Sequence, residues 1–99
     1  METSRTQAAR KYALLSCHRY QVFAGNEKYE ESLLLTLTNN GGSICFRFTD
    51  LATDEVTSFD NPPTGEYSIP LKKGGKLKME IIASEAIGAY KIIKKTKKD

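Results

Sequence analysis

The sequence predicts a single all-β domain, a small antiparallel β-sandwich of about seven strands, with a flattened β-barrel as the alternative. From residue 32 onward, apolar and polar residues alternate in short runs, which is the period-two pattern of half-buried strands. Gly, Pro, Asn and Asp separate these runs at short intervals, as expected for turns between antiparallel strands. A length of 99 residues with 39% hydrophobic and 27% charged residues fits one ordinary folded domain.

The N-terminal third has a mixed pattern. Residues 1–9 combine a capping-type Ser4 with a helix-forming composition, so we expect a flexible or briefly helical segment there. Residues 10–24 become aromatic, β-branched and alternating toward their end, which predicts a long, bulged strand. The predicted sandwich domain therefore spans residues 10–95, and a basic tail follows over residues 96–99.

The clearest predicted strands lie on either side of NNGG, at residues 39–42. In residues 32–38 three leucines share one face, and in residues 43–49 one isoleucine and two phenylalanines share one face. Asn and Gly tolerate the positive φ angles that tight hairpin turns require. We therefore predict a β-hairpin over residues 32–49.

Four further strands complete the predicted fold. They cover residues 55–59, 66–71, 76–82 and 88–95. The paired prolines of DNPPTG cannot donate ladder hydrogen bonds, so they separate the first two of these strands. Pro70 also lacks an N–H group, which predicts an edge strand or a locally unpaired position. Pairing of the last two strands across the short SEAI loop would place Ile81 opposite Tyr90.

KKGGK, at residues 72–76, raises the question of a phosphate-binding loop. A P-loop requires GxxxxGK[ST] between a strand and a helix, because the loop amides and the helix N-terminus together form the anion site. Here the residues that follow, LKMEII, alternate with period two and predict a strand. The sequence therefore favours the turn of a β-hairpin at KKGGK.

The reactive side chains predict neither an enzyme nor a metal site nor a cofactor. Cys17 and His18 are adjacent, so on a strand they point to opposite faces and cannot act as a nucleophile and base pair. Cys17 and Cys45 have no CxxC spacing, and two reduced, packed thiols are favoured over a disulfide between them. Four acidic residues near predicted loops lack the spacing of a calcium-binding loop and are interpreted as solvated turn residues. They are Asp50, Asp54, Glu55 and Asp60.

The net charge of +3 conceals an uneven distribution. Residues 1–19 contain four basic and one acidic residue, residues 20–65 two basic and seven acidic, and residues 66–99 nine basic and four acidic. The lysine-rich end predicts a basic patch for nucleic acid or another polyanion, although lysines on edge strands also keep sheets from aggregating. The predicted pairing would place Lys76 opposite Lys95. The candidate binding residues are Lys72, Lys73, Lys76, Lys78, Lys95, Lys97 and Lys98.

Aromatic side chains suggest two further classes of ligand, RNA and sugars. Phe46 and Phe48 flank Arg47, an interleaving typical of RNA-binding sheets, but the RNP pattern is missing and core phenylalanines are favoured. Sugar binding would have to use tyrosines, because the chain contains no Trp. The candidate tyrosines are Tyr20, Tyr29, Tyr67 and Tyr90.

The C-terminal half resembles, in its rhythm, small bacterial β-sandwich modules such as the pre-peptidase C-terminal and carbohydrate-module-like domains. The likeness rests on GEYSIPLKKGGKLKMEI and ASEAIGAYKI, which give a strand, a short loop and a GxYxI strand, and it covers about residues 32–95. The resemblance implies a sandwich fold. It carries no binding residue over to this chain.

The sequence therefore predicts a non-enzymatic binding module, with a protein partner favoured. A sheet face or an exposed edge near Pro70 would engage the partner by strand addition or side-chain packing, as in a small adaptor or inhibitor. The alternatives are an anion or nucleic-acid binder that uses the lysine-rich end, and a carbohydrate-binding module.

Outward Leu34, Ile82 and Ile93 predict either two covered sheet faces or a homodimer. No apolar run approaches a membrane span and no export signal is visible, so we expect a cytoplasmic location, with a trimmed secreted protein as the alternative.

Overall fold

The computed structural model describes residues 2–97, which form an all-β, antiparallel fold as predicted. The strands are β1 (Glu2–Ala24), β2 (Glu30–Asp50), β3 (Val56–Asp60), β4 (Gly65–Leu71) and β5 (Lys76–Lys97). Within residues 2–97 there is no helix, and therefore none long and apolar enough to cross a membrane.

The three long strands each pass through both layers of the sandwich. β1, β2 and β5 contain 23, 21 and 22 residues, and register shifts interrupt their pairing near the middle. The first part of β2 pairs with β4, and its second part pairs with β3. One layer is therefore ordered β1-β5-β2-β4 and the other β1-β5-β2-β3.

The bulges in the middle of the long strands let both halves of each strand face the same core. An extra residue in a strand reverses which side chains point inward. In β2 the buried residues are odd-numbered before residue 39 and even-numbered after residue 43. Aromatic pairs then join the layers: the rings of Phe46 and Tyr90 lie 5.8 Å apart, and those of Phe59 and Tyr67 lie 5.1 Å apart.

The predicted count of seven strands is wrong, because NNGG and SEAI lie inside β2 and β5 and are not hairpin turns. Leu37 and Ile44, on the two sides of NNGG, both pair with β5. Gly42 has φ of 71°, and a Cβ atom at this position would overlap the β5 backbone. Gly and Asn therefore serve here to bend a continuous strand where another backbone lies close. The predicted pairing of Ile81 with Tyr90 is also wrong, since Ile81 pairs with β1 and β2.

The first and the last strand extend further toward the termini than predicted, over the residues that the structure describes. Residues 2–9 were expected to be flexible or helical, but they belong to β1, because Glu2 lies opposite Lys97 and the pairing continues from there. Thr96 and Lys97, expected in a tail, are the last residues of β5. Met1, Lys98 and Asp99 lie outside the described residues.

KKGGK is a turn, as predicted, but it is not the tip of a hairpin. Gly75 N donates a hydrogen bond to Lys72 O at 3.0 Å, and Gly74 has φ of 66°. β4 pairs with β2, whereas β5 pairs with β1 and β2, so the turn connects the two layers. The sheet is not closed into a barrel, because within residues 2–97 β1 pairs with neither β3 nor β4. The prediction that Pro70 lies in an edge strand is confirmed.

The ends of the long strands meet at one end of the sandwich, which we call the open end. There Gly25 N donates to Gly75 O at 2.8 Å, and Leu51 N donates to Lys76 O at 3.0 Å. The Lys94 ammonium reaches across the layers to Ala24 O at 2.6 Å. The first two contacts extend the ladders within one layer, and the contact from Lys94 joins the two layers at the open end.

Candidate functional site

β1 has the longest unpaired edge in the described part of the chain. It pairs with β5, and no other strand among residues 2–97 pairs with it. β3 and β4 are also edge strands, but they contain only 5 and 7 residues, and β4 carries Pro70, which cannot donate to an added strand. β1 is therefore the edge best suited to accept another strand.

The regular part of β1 is its C-terminal third. Register shifts interrupt the pairing of β1 with β5 up to residue 17, whereas residues 17–24 pair without interruption, from Cys17 opposite Ala83 to Ala24 opposite Lys76. Bulges protect an edge against strand addition, because they twist it away from a flat template. We call residues 17–24 the free edge segment.

The loop after β1 shows which way the backbone groups of the free edge segment point. Gly25 and Gly75 continue the register of Ala24 and Lys76, and Gly25 N donates to Gly75 O. In an antiparallel ladder, hydrogen-bonded pairs alternate with pairs whose N–H and C=O groups point away from each other. Ala24 O fits this alternation, because it accepts its hydrogen bond from the side chain of Lys94 and not from the backbone of Lys76, the residue opposite it.

Odd-numbered residues of the free edge segment therefore bond to β5, and even-numbered residues direct their N–H and C=O groups outward. Besides Ala24, whose carbonyl is bonded to the side chain of Lys94, the outward set is His18, Tyr20 and Val22. These groups form a row of backbone donors and acceptors along about 14 Å of strand. Such a row is the template that an extended peptide uses in strand addition.

The side chains of the same three residues lie on the outer face of the sheet, beside β5. Tyr20 is 71% exposed and Val22 is 46% exposed. On β5, Ile82 lies opposite His18 and is 37% exposed. The free edge segment is thus bordered by an apolar strip, which the sequence pattern had indicated only for Ile82.

A network of polar contacts orders this strip. Glu80 accepts a hydrogen bond from His18 Nε2 at 2.9 Å, and its other oxygen lies 3.6 Å from Lys78 Nζ. The Lys78 ammonium also lies 5.1 Å from the centre of the Tyr20 ring. The hydrogen bond from His18 and the charge of Lys78 lower the pKa of Glu80, against an opposing effect of desolvation. Glu80 therefore stays ionised and fixes both neighbours at neutral pH.

The other two outward apolar residues of the sequence analysis lie in the other layer. Leu34 and Ile93 are half-buried and lie directly opposite each other on β2 and β5. A cross-strand pair of this kind covers part of its own apolar surface. These two residues therefore do not extend the strip beside the free edge segment.

The cysteines and acidic residues do not assemble a reactive centre in the described part of the chain. Cys17 packs against the core while His18 is exposed on the outer face, and both cysteines are free. Burial, together with a hydrogen bond to Asp60 at 3.2 Å, raises the pKa of the Cys45 thiol, so it is a poor nucleophile. Residues 2–97 contain no group of three or more His, Cys, Asp or Glu side chains placed to hold a metal ion.

The candidate lysines fall into two places. Five of them lie at the open end of the sandwich: Lys72, Lys73, Lys76, Lys95 and Lys97. Lys78 lies on the outer face beside Tyr20, and Lys98 is outside the described residues. The predicted pairing of Lys76 with Lys95 is wrong, since Lys76 lies opposite Ala24 and Lys95 lies opposite Ser4 and Ser32.

Carboxylates are interspersed among these lysines. Lys72 Nζ lies 3.2 Å from Asp50 Oδ2, and Lys97 lies opposite both Glu2 and Glu30 in the sheet. Cross-strand neighbours of opposite charge attract each other and reduce the field that reaches solvent. The open end is therefore mixed in charge.

No family model and no curated protein matches the chain. Among solved structures, the chain is similar to the P-domain of Macrobrachium rosenbergii nodavirus, with 11% sequence identity, a TM-score of 0.42, and coverage of 95% of this chain and 90% of that one. It is also similar to the P-domain of Penaeus vannamei nodavirus, with 15% identity, a TM-score of 0.36, and coverage of 89% and 96%.

Proposed function

We propose that this protein is a non-enzymatic protein-interaction module that binds an extended segment of a partner protein along the free edge segment of β1. The observation that carries the proposal is the outward row of backbone groups at His18, Tyr20 and Val22, on a regular strand with no second neighbour among residues 2–97. An added strand would satisfy these groups with main-chain hydrogen bonds.

Side chains along the edge define the chemistry of the partner segment. Tyr20, Val22 and Ile82 offer apolar surface on the outer face. Arg19 points to the other face, is exposed, and forms no hydrogen bond or ion pair with residues 2–97. Since neighbouring strand residues alternate between faces, the matching segment carries an apolar residue next to an acidic one.

The two alternative functions have less support. Polyanion binding would need the lysines to act together, but carboxylates lie beside Lys72, Lys78 and Lys97. Sugar binding would need several exposed aromatic rings, but Tyr20 is the one tyrosine in the exposed class among residues 2–97. Strand addition requires neither condition.

The test compares capture of partners by the wild-type protein and by two variants at the same position. Val22→Pro deletes an outward N–H group, whereas Val22→Ala shortens the side chain and keeps the backbone donor. Each protein is used as bait in a lysate treated with nuclease, at low and at high salt. We expect wild type and Val22→Ala to retain the same protein at both salt concentrations, and Val22→Pro to lose it.

The captured protein is then divided into synthetic segments, and the binding segment is expected to be extended and to pair apolar with acidic residues. Equal capture by Val22→Pro would refute the proposal. Loss of the captured material on nuclease treatment or at high salt would favour the polyanion alternative. Self-association that Val22→Pro abolishes, without any captured partner, would make a second copy of the chain the occupant and would also refute it.

A further inference from the structure

A cavity of about 590 Å³ opens between the two layers at the open end. The inward row of β5 continues from buried Ile92 to the polar residues Lys94 and Thr96. On the neighbouring strand, Arg5 lies directly opposite Lys94, and Thr3 lies directly opposite Thr96. The cavity therefore begins where the apolar core ends. Two positively charged side chains and two threonine hydroxyls, paired across β1 and β5, form its floor.

Hydrogen-bond donors dominate the wall of this cavity. Besides the two cations, the lining comprises threonine hydroxyls and the side-chain amides of Gln7 and Asn26, and no carboxylate lines it. A cavity that combines two positive charges with many donors selects for a ligand rich in acceptor oxygens.

Lys94 has a counter-charge among residues 2–97, whereas Arg5 does not. Lys94 Nζ donates to Ala24 O at 2.6 Å and lies 3.5 Å from Glu31 Oε1, so it has a counter-charge. Arg5 forms no hydrogen bond or ion pair with residues 2–97. Like charges directly opposite each other destabilise a sheet, so an anion bound between Arg5 and Lys94 would relieve their repulsion.

Glu31 cannot supply that charge to Arg5. Its side chain is 3% exposed and does not line the cavity. Its oxygens accept hydrogen bonds from the Thr96 hydroxyl and from Asn26 N, besides the contact with Lys94. These contacts hold the loop residue Asn26 and the strand residue Thr96 in place, so the walls of the cavity are ordered without a ligand.

We propose that this cavity binds a phosphate group, held by the guanidinium of Arg5 and the remaining N–H of Lys94. Guanidinium presents a planar pair of donors that matches two phosphate oxygens. The hydroxyl of Thr3 and the amide of Gln7 supply further donors, whereas the hydroxyl of Thr96 is already bonded to Glu31. The volume exceeds that of a single phosphate ion and falls in the range of small-molecule sites, so a phosphate monoester with a hydroxylated body fits it, and free phosphate shares the same chemistry.

The site is separate from the free edge segment, so its test does not depend on the proposed protein interaction. The isotope-labelled full chain is titrated with ribose 5-phosphate, with inorganic phosphate and with ribose, at constant ionic strength, and amide chemical shifts are followed by NMR. We expect saturable shifts at Thr3, Arg5, Asn26 and Thr96 with both phosphate compounds and none with ribose. Tighter binding of ribose 5-phosphate would identify the ester as the source, and equal binding would identify the free ion.

A matched pair of variants on β1 tests the role of Arg5. Arg5→Gln is expected to weaken binding about tenfold or more, because it removes a charge-assisted pair of hydrogen bonds. Arg10→Gln removes the same charge from the same strand outside the cavity, and it is expected to leave the affinity unchanged. Absence of saturable shifts with both phosphate compounds, or equal weakening by the two variants, would overturn the proposal.

Discussion

Proline substitution at two adjacent residues of the free edge segment tests the direction of its N–H groups. Gln21 is odd-numbered, so its N–H donates to β5 at Met79, the residue opposite. Val22 N–H points outward and has no partner among residues 2–97. Gln21→Pro therefore breaks a ladder hydrogen bond, whereas Val22→Pro leaves the ladder intact.

The expected losses of stability differ for that reason. Gln21→Pro leaves the Met79 carbonyl without its donor, which costs about 1–3 kcal/mol, and the proline ring adds a steric cost against β5. Val22→Pro loses part of a side chain that is already 46% exposed and constrains one φ angle, at a cost of about 1 kcal/mol or less. For a domain of this size, 1 kcal/mol lowers Tm by roughly 4–8 °C, so we expect losses of roughly 5–20 °C for Gln21→Pro and no more than about 8 °C for Val22→Pro.

Thermal unfolding followed by circular dichroism measures both values, with Gln21→Ala and Val22→Ala as controls for the side chains. The alanine variants separate the loss of side-chain contacts from the loss of the backbone donor. Equal losses for the two proline variants, or a larger loss for Val22→Pro, would refute the deduced alternation of the backbone groups. The free edge would then need a different set of outward donors.

Three further predictions concern the bend, the open end and the thiol on the outer face. Gly42→Ala places a side chain at φ of 71° against the β5 backbone and should cost about 2 kcal/mol or more in urea unfolding, whereas Gly65→Ala, where an added Cβ meets its neighbours only at ordinary van der Waals distance, should cost less than half of that. Burial raises the pKa of Glu31, but its hydrogen bonds and the charge of Lys94 outweigh this and lower it below 4.5. Glu31 thus contributes stability above that pH which is lost on acidification, and Glu31→Gln should flatten the fall in unfolding free energy between about pH 5 and pH 3. Because burial and then Asp60 raise the pKa of Cys45, iodoacetamide should modify Cys45 more slowly than a free thiol at the same pH, and Asp60→Asn should speed the reaction; an unchanged rate would contradict the assigned cause.

The local alternation of apolar residues was sufficient to predict the strands but not their continuity. Each predicted strand from residue 32 onward lies within an observed one, apart from residue 55 at the start of the third. NNGG was assigned to a turn because Asn and Gly suit positive φ, and the same property suits a bulge. NNGG is a bulge and not a turn because Leu37 and Ile44, on its two sides, both pair with β5, more than 35 residues further along the chain. Pairing between residues so far apart in the chain cannot be predicted from the local alternation of apolar and polar residues.

The candidate site was predicted less completely than the fold. Composition alone pointed to the lysines, but it could not show that Asp50 and Glu30 lie beside them. The free edge of β1 follows from its pairing with the far C-terminal strand, so the local pattern indicated an edge at Pro70 and gave no sign of the longer one. Arg5 was missed because residues 2–9 read as a flexible or helical segment, and its position became visible only when it was found opposite Lys94.

Amide hydrogen exchange in the free edge segment reports, residue by residue, which backbone N–H groups are available to a partner segment. We expect alternating protection in the isolated protein, with slow exchange at odd-numbered residues and fast exchange at His18, Tyr20 and Val22. A bound partner segment should then slow exchange at these three amides and leave the odd-numbered ones unchanged. Uniform protection across residues 17–24 in the isolated protein, or fast exchange at all three amides with the partner bound, would contradict the account.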